Sequence, residues 1–291
     1  MLTEIEVFAP AKVNIGLKVL PRLENEAYHK IESIFQTVNI KDKLNIKLTD
    51  GFDEITVESE ALPLPKENTI TKAYEAFKET LGIEKMPSVH VEIEKHIPMG
   101  GGLGGGSSDA AAFVKGLEKL MGTELRNEQY DSIAGAVGSD VFFFFHCNEK
   151  GDACAVVTGR GEIVQDIGMR DDLHFLLAFP GINSSTKEAY QLVDECHEKG
   201  LEKNEFPALE VLEKMYRSPL NCWRFVNSFT PPLTRRYPEI ADALAKIKEA
   251  GALFSDMSGS GSTVFGIFSS RKDAERAADL LRSKGVETAL A

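Results

Sequence analysis

A basic excess, metal-spaced cysteines and long apolar runs are all missing from this 291-residue chain. Lys and Arg number 33 against 45 Asp and Glu, a net charge of −12, which argues against a nucleic acid as partner because phosphate backbones are held by clustered cations. The four cysteines (Cys147, Cys154, Cys196 and Cys222) lack zinc spacing and are too sparse for a disulfide framework, so they read as ordinary thiols of a reducing cytoplasm. No apolar run reaches the length of a membrane span, and the longest, Val141 to Phe145, reads as a buried strand. Met1-Leu2-Thr3-Glu4 leads into a short strand rather than a basic and then apolar leader, so no signal peptide is expected. There is no internal repeat. His90 and His96 read as solvent-facing or satisfied side chains rather than metal ligands. The composition, 43% hydrophobic and 27% charged, is that of a globular chain with a sizeable core.

What the chain has in abundance is glycine in one place. Six of the seven residues from Gly100 to Gly106 are glycine. Before them runs an alternating strand with Val89, Val91 and Ile93 on one face and His90, Glu92 and Glu94 on the other. After them comes an amphipathic helix with Ala110, Phe113, Val114, Leu117, Leu120 and Met121 on one face and Gly122 as its stop. Glycines reach positive φ and let backbone N–H groups converge, and a helix start adds free N–H groups and a positive dipole end. Strand, glycine loop and helix with Ser107 and Ser108 at its start make a phosphate site. A flexible linker would not carry Leu103 among the glycines or run into an apolar helix. No Lys follows the glycines until Lys115, which excludes a P-loop. Gly100, Gly102 and Gly105 satisfy the dinucleotide pattern, but no apolar strand leads into Glu124, the acidic residue at the required distance. No H-R-D segment follows, which excludes a protein kinase.

Elsewhere the pattern predicts strands at Ile5 to Phe8, Val13 to Leu20, Ile34 to Val38, Leu44 to Leu48 and Ile55 to Glu58. Further strands are predicted at Ala153 to Val157, Phe175 to Phe179 and Val264 to Phe268. Helices are predicted at Thr69 to Leu81, Asn127 to Val137, Lys187 to His197, Ala241 to Ala250 and Arg271 to Lys284. The charged stretch Gly168 to Asp172 marks a boundary, so the chain reads as α+β in two parts. A second glycine cluster, Met257 to Ser262, gains weight only if it faces the first. Two charged residues stand in apolar surroundings. Lys12 shares a strand face with Asn14, and is either a functional cation or an edge lysine whose stem lies over apolar surface. Asp140 enters the run Val141 to Phe145, and is either a loop cap or a functional carboxylate.

The run Pro98 to Ala112 resembles the phosphate-loop signature of the GHMP kinases (galactokinase, homoserine kinase, mevalonate kinase and relatives), and Met257 to Ser262 is similar to that family's third motif. Pro10 to Leu17, Tyr28 to Ser33 with Phe35-Gln36, Lys95 to Leu103, Gly159 to Glu162 and Ser185 to Tyr190 resemble most closely a member whose alcohol substrate carries a cytidine diphosphate, in isoprenoid precursor biosynthesis. The likeness spans nearly the whole chain, dense over the first 165 residues and patchy between about 195 and 240. It implies two domains: a ribosomal protein S5 domain 2-like N-terminal domain over 1–165 and a ferredoxin-like C-terminal domain over 166–291. It further implies a kinase for a small alcohol that uses ATP and Mg²⁺ in the cytoplasm, as a monomer or homodimer, with no nucleic-acid or membrane partner.

The resemblance also implies roles. Lys12 and Asp140 match the catalytic pair: Asp140 would take or orient the hydroxyl proton, and Lys12 would hold that carboxylate and stabilise developing negative charge. Asn14 would contact the substrate near the reacting hydroxyl. Pro98, Gly100, Gly101, Gly102, Leu103, Gly104, Gly105 and Gly106 would form the ATP loop, with Ser107 and Ser108 offering hydroxyls to phosphate or, from Ser108, to Mg²⁺. Asn68 and Lys95 match positions lining the adenine pocket. Tyr28 would stack on cytosine, His29 would hydrogen-bond its edge, and Pro180 and Gly181, in the stretch to Asn183, would supply the other wall. The chain departs from the family pattern at Glu26-Ala27 (usually Asp-Gly), Phe142 (usually Pro) and Cys222 (usually Asp), and no aromatic is evident near Ile182 and Asn183. Two rivals remain: a family member acting on mevalonate or homoserine, and a non-catalytic nucleotide-binding protein in which Asp140 is a cap.

Overall fold

The computed structural model describes residues 2–22, 26, 28–60, 63–201 and 205–291. It divides into two compact units whose segments interleave along the chain. The first holds the residues up to Ala11 with Ile40–Met99 and Gly104–Ala153; the second holds Lys12–Asn39, Gly100–Leu103 and Cys154–Ala291. Two long strands, β1 (Glu4–Val19) and β2 (Ile31–Phe52), contribute residues to both. Each stands where the sequence pattern shows two short strands. Pro10 does not break β1, which pairs with β2, and the polar stretch Asn39 to Lys43 stays extended within β2.

In the first unit, β4 (Pro87–Glu94) lies between β3 (Ile55–Ser59), parallel to it, and the second half of β2, antiparallel to it. Val89, Val91 and Ile93 are buried and Glu92 and Glu94 exposed, the alternation that sets the face of the sheet. Helix α1 (Thr69–Leu81) starts on the Asn68 capping box and stops at left-handed Gly82. Helix α2 (Gly105–Met121) presses on the sheet at Gly116, where a Cβ would stand 2.5 Å from Ile46 Cδ1. Helix α3 (Asn127–Val137) packs on α1. The run Val141 to Phe145, expected as a strand, is instead helix α4 (Ser139–Phe145), packed on α2 and α3. A five-residue apolar run carries no period of its own, and here the aromatic β preference yields to the helices that surround it.

In the second unit, the first half of β2 pairs with β5 (Cys154–Gly159), and β5 pairs with β6 (Ile163–Asp166). A separate antiparallel sheet of four strands is ordered β10-β7-β9-β8 (Glu287–Leu290, His174–Phe179, Val264–Phe268, Phe254–Met257). Helices α8 (Pro238–Glu249) and α9 (Arg271–Ser283) pack on it, with Leu176, Phe268, Ala274, Ala277 and Ala278 forming one buried cluster. This is the ferredoxin-like arrangement expected, and the chain is α+β. Helices α5 (Thr186–Glu198), α6 (Leu212–Arg217) and α7 (Thr230–Arg236) complete the unit. Strands β6, β8 and β10 and helices α6 and α7 are too short for a periodic signal. No described helix is long and apolar enough to cross a membrane.

Gly266 on β9 is the tightest point between sheet and α8: a Cβ there would stand 2.5 Å from Ile247 Cγ2 and 3.0 Å from Ala252 Cβ. Gly266→Val is expected to lower stability by about 1–3 kcal/mol through overpacking. Urea unfolding checks this, and an unchanged midpoint would mean the sheet and α8 are not packed as described.

Candidate active site

In the second unit, Lys12 and Asn14 occupy one face of β1, and both are buried, Lys12 at 3% exposure. Lys12 Nζ donates to Asn14 Oδ1 at 2.7 Å and lies 4.6 Å from the centroid of the Phe35 ring. That burial rules out the edge-lysine reading. Asn14 Nδ2 donates to Ser33 Oγ (3.3 Å), which donates to the Gly16 carbonyl (2.6 Å). The Asn14 amide is therefore held in one orientation, with its oxygen on the ammonium.

The second glycine cluster does face the first. Ser258 Oγ accepts from Asn14 N (3.3 Å) and donates to the Gly102 carbonyl (2.9 Å). Gly102 has φ +75°, and a Cβ on it would stand 2.1 Å from the Ser258 carbonyl oxygen. Thr263 N donates to Gly101 O, and Lys12 N to Leu103 O. Asn227 braces the cluster from behind, its Nδ2 donating to the carbonyls of Met257 and Gly259 at 2.8 Å each. Buried Asp256 takes hydrogen bonds from Thr230 Oγ1 and Met257 N, and burial pushes its carboxyl up to about 6 against those bonds. The loop from Pro180 joins the same cluster: Ser184 Oγ donates to Ser260 O (2.6 Å), Ser262 Oγ donates to Ile182 O, and Asn183 Oδ1 would meet a Cβ on Gly100. Gly181, at φ +73° with open space around it, turns that loop.

Tyr28 is 65% exposed, with the Arg160 guanidinium 5.6 Å from its ring centroid. His29 is placed differently from a free base reader. Its Nδ1 lies 3.0 Å from the Leu20 carbonyl and its Nε2 3.2 Å from Asp194 Oδ1. A hydrogen bond from the imidazole to a pyrimidine edge would require one of these to be exchanged. Ala27, one of the departures from the family pattern, lies outside the described residues.

In the first unit, α2 begins at Gly105 rather than on a serine. Its N-cap is left-handed Gly104, which supplies no side-chain acceptor, so the positive end of the helix is left for an anion. Thr69 Oγ1 donates to Gly106 O (2.7 Å), tying the start of α2 to the start of α1. A Cβ on Gly105 would stand 3.0 Å from Ile97 Cγ2. Ser107 Oγ lies beside Gly138, the N-cap of α4, and Asp140 sits in the first turn of that helix. Asp140 is thus a helix-start carboxylate rather than one at the mouth of a strand. Asn68 is committed as a cap: its Oδ1 accepts from Ile70 N and Thr71 N and its Nδ2 donates to Pro65 O.

Lys95 is buried between two carboxylates, donating to Asp42 Oδ2 and to Asp109 Oδ2 (2.8 Å). Asp42 also accepts from the backbone of His96 (2.5 Å) and Ile97 (2.8 Å). Pattern reading misses Asp42 because it falls in the polar middle of β2. Ser108 Oγ and Asp109 Oδ1 are buried with no hydrogen-bond partner. The uncapped helix, Gly104 to Gly106 at its start and an unpartnered hydroxyl at Ser108 fit a phosphate group. Among the described residues no group of three His, Cys, Asp or Glu side chains is placed to hold a metal ion. A Mg²⁺ here would have to rest on one or two protein oxygens together with phosphate oxygens.

The family model described as the GHMP kinases N-terminal domain matches residues 68–148, and that described as GHMP kinases C terminal matches 206–287. The 4-diphosphocytidyl-2-C-methyl-D-erythritol kinase of Treponema pallidum is 36% identical over 97% of this chain and 96% of its own length. That of Thermotoga maritima is 37% identical over 90% and 92%. A crystal structure of 4-(cytidine 5'-diphospho)-2C-methyl-D-erythritol kinase has a TM-score of 0.77 and 29% identity, covering 98% of both chains. A homoserine kinase from Cytophaga hutchinsonii shares the fold, with a TM-score of 0.71 at 20% identity over 100% of this chain and 94% of that one.

Burial raises the Asp109 carboxyl to about 7, Lys95 opposing and Asp42 adding to the rise. Burial alone would lower the Lys95 ammonium, but the two carboxylates outweigh it and hold it up. Because the folded state keeps a proton that the unfolded chain releases near pH ~4, Asp109 lowers stability as pH rises from about 4 to about 7, and adds no further slope above that. Asp109→Asn is expected to remove this slope, so the variant gains on the parent across that window. Urea midpoints from pH 4.5 to 8 check this; a pH-independent difference would show that Asp109 does not titrate there.

Proposed function

From the premise that the chain belongs to the GHMP kinases, we propose that it phosphorylates the 2-hydroxyl of 4-diphosphocytidyl-2-C-methyl-D-erythritol with ATP. The observation that carries the choice of substrate is Tyr28, an exposed aromatic ring with a guanidinium over it, in the same unit as the Lys12–Asn14 pair. A bare alcohol such as mevalonate or homoserine has no base to stack there, whereas a cytidylyl group has both a π face and a diphosphate.

ATP bound here supplies the transferable phosphoryl group, and Mg²⁺ with it neutralises phosphate charge. The chain's own residues position and stabilise. The N–H groups at the start of α2 hold phosphate oxygens, and Ser107 and Ser108 add hydroxyls. Lys12, kept dry and fixed by Asn14, offers positive charge where negative charge develops on the transferring group. The Asn14 amide stands beside it to meet the acceptor. Asp140 takes or orients the proton of the acceptor hydroxyl as its oxygen bonds phosphorus and the bond to the departing ADP breaks. The loop Pro180-Gly181 supplies the second wall of the base pocket. Lys95 and Asn68, each bonded into the frame beneath the helix starts, form the floor of the adenine side. The cysteines Cys147, Cys154, Cys196 and Cys222, all free thiols, support a cytoplasmic setting.

A coupled ADP-release assay with Mg²⁺-ATP tests the reading against mevalonate, homoserine and galactose. Turnover is expected with the cytidylyl substrate alone, falling about 10²–10⁴-fold in Asp140→Asn. Turnover with another acceptor would remove the base-pocket reading. Full activity in Asp140→Asn would reduce that residue to a helix cap.

A further inference from the structure

The imidazole of His29 is spent on the protein. Its two ring nitrogens face the Leu20 carbonyl at 3.0 Å and the Asp194 carboxylate at 3.2 Å, and its side chain is only 8% exposed. Both partners are acceptors, so each can be met by a ring N–H. Tyr190, one turn before Asp194 on α5, stacks on the imidazole with centroids 5.0 Å apart and planes at 21°. Phe229 packs edge-on against Tyr190 at 4.9 Å and is itself buried. The β1–β2 connection, which carries Tyr28, is closed at its base by Leu20 N donating to Lys30 O, and further along only His29 ties it to a helix among the contacts described.

We infer that Asp194 and Tyr190 are positioning residues for substrate recognition: they clamp the His29 ring so that Tyr28 and the His29 backbone are presented to the cytidine diphosphate group. This rests on the substrate reading above. A ring fixed this way does not read the pyrimidine itself; it sets the place and angle of the neighbour that does. A loop that must be ordered at each binding event weakens binding by the cost of that ordering, and an anchored loop avoids it.

The test is Asp194→Leu, with Asp194→Asn as rescue, since the Asn oxygen can still accept from Nε2. Asp194→Leu is expected to raise KM for the cytidylyl substrate roughly tenfold or more, with kcat and KM for ATP unchanged. Asp194→Asn should stay close to the parent. Calorimetric binding of cytidine 5'-diphosphate to parent and variants gives a readout that does not depend on turnover. If the parent fails to phosphorylate the cytidylyl substrate, the substrate reading falls, and loss of cytidine diphosphate binding in Asp194→Leu alone still supports the clamp. An unchanged KM and unchanged cytidine diphosphate binding in Asp194→Leu overturns it. So does a parallel loss of ATP affinity and kcat, which is what general damage to the fold would produce.

Discussion

At Gly102 and Ser258 backbone meets backbone with no room for a side chain between them. A Cβ on Gly102 would stand 2.1 Å from the Ser258 carbonyl oxygen, inside any van der Waals contact. Ser258 Oγ then bonds the Gly102 carbonyl and receives the Asn14 N–H, so one hydroxyl fixes the distance between two loops and a strand. The chemistry depends on this spacing. Lys12 has its backbone tied to Leu103 and its ammonium to Asn14, so moving either loop moves the cation. Asn227 and the buried Asp256 hold the Ser258 side of the contact, and a hydrogen-bonded network of this kind is rigid because each buried group would be costly to leave unpaired.

A chain of net charge −12 must attract anionic ligands by local means. Over more than about 8 Å the general field is screened at physiological salt, so what matters is charge held close and dry. Two kinds of lysine appear. Lys12 is buried against an amide oxygen and an aromatic face, contacts that orient a cation. Lys95 is buried between two carboxylates, a neutralised cation beside Gly105 at the start of α2. The same residue type thus stands in two settings, with Asn14 and Phe35 against Lys12 and with Asp42 and Asp109 around Lys95.

That distinction explains how much could be read in advance. Helices α1 and α3 and strand β9 begin and end where periodicity, caps and turn residues place them, because their signals are local: Asn68 before α1, Gly82 after it, alternation through β4. Lys12 and Asn14 were legible as a pair because the period of a strand puts them on one face. Asp42 and Asp194 carried no signal, and the cluster holding Ser258 only a conditional one, since each acts through a partner tens to hundreds of residues away and single-sequence patterns report only neighbours. The run Val141 to Phe145 failed for a different reason: five apolar residues suit a strand and a helix equally, and the choice was made by α2 and α3, which the run itself cannot describe.

The glycine loop is built from backbone, and backbone groups cannot tell one alcohol from another. They recognise phosphate geometry, which every acceptor for such a kinase encounters in the same form. Discrimination must come from side chains that reach past the reacting hydroxyl, and these lie outside helices and strands: Tyr28, and the loop from Pro180 to Ser184. Both places are held to the frame by polar bonds, His29 to Asp194 in one case and Ser184 to Ser260 in the other. A surface loop buries too little apolar area to fix itself, so a few directional bonds must do it. Substrate choice can then change by rewiring those anchors while the phosphate machinery, locked through Gly102 and Ser258, stays as it is.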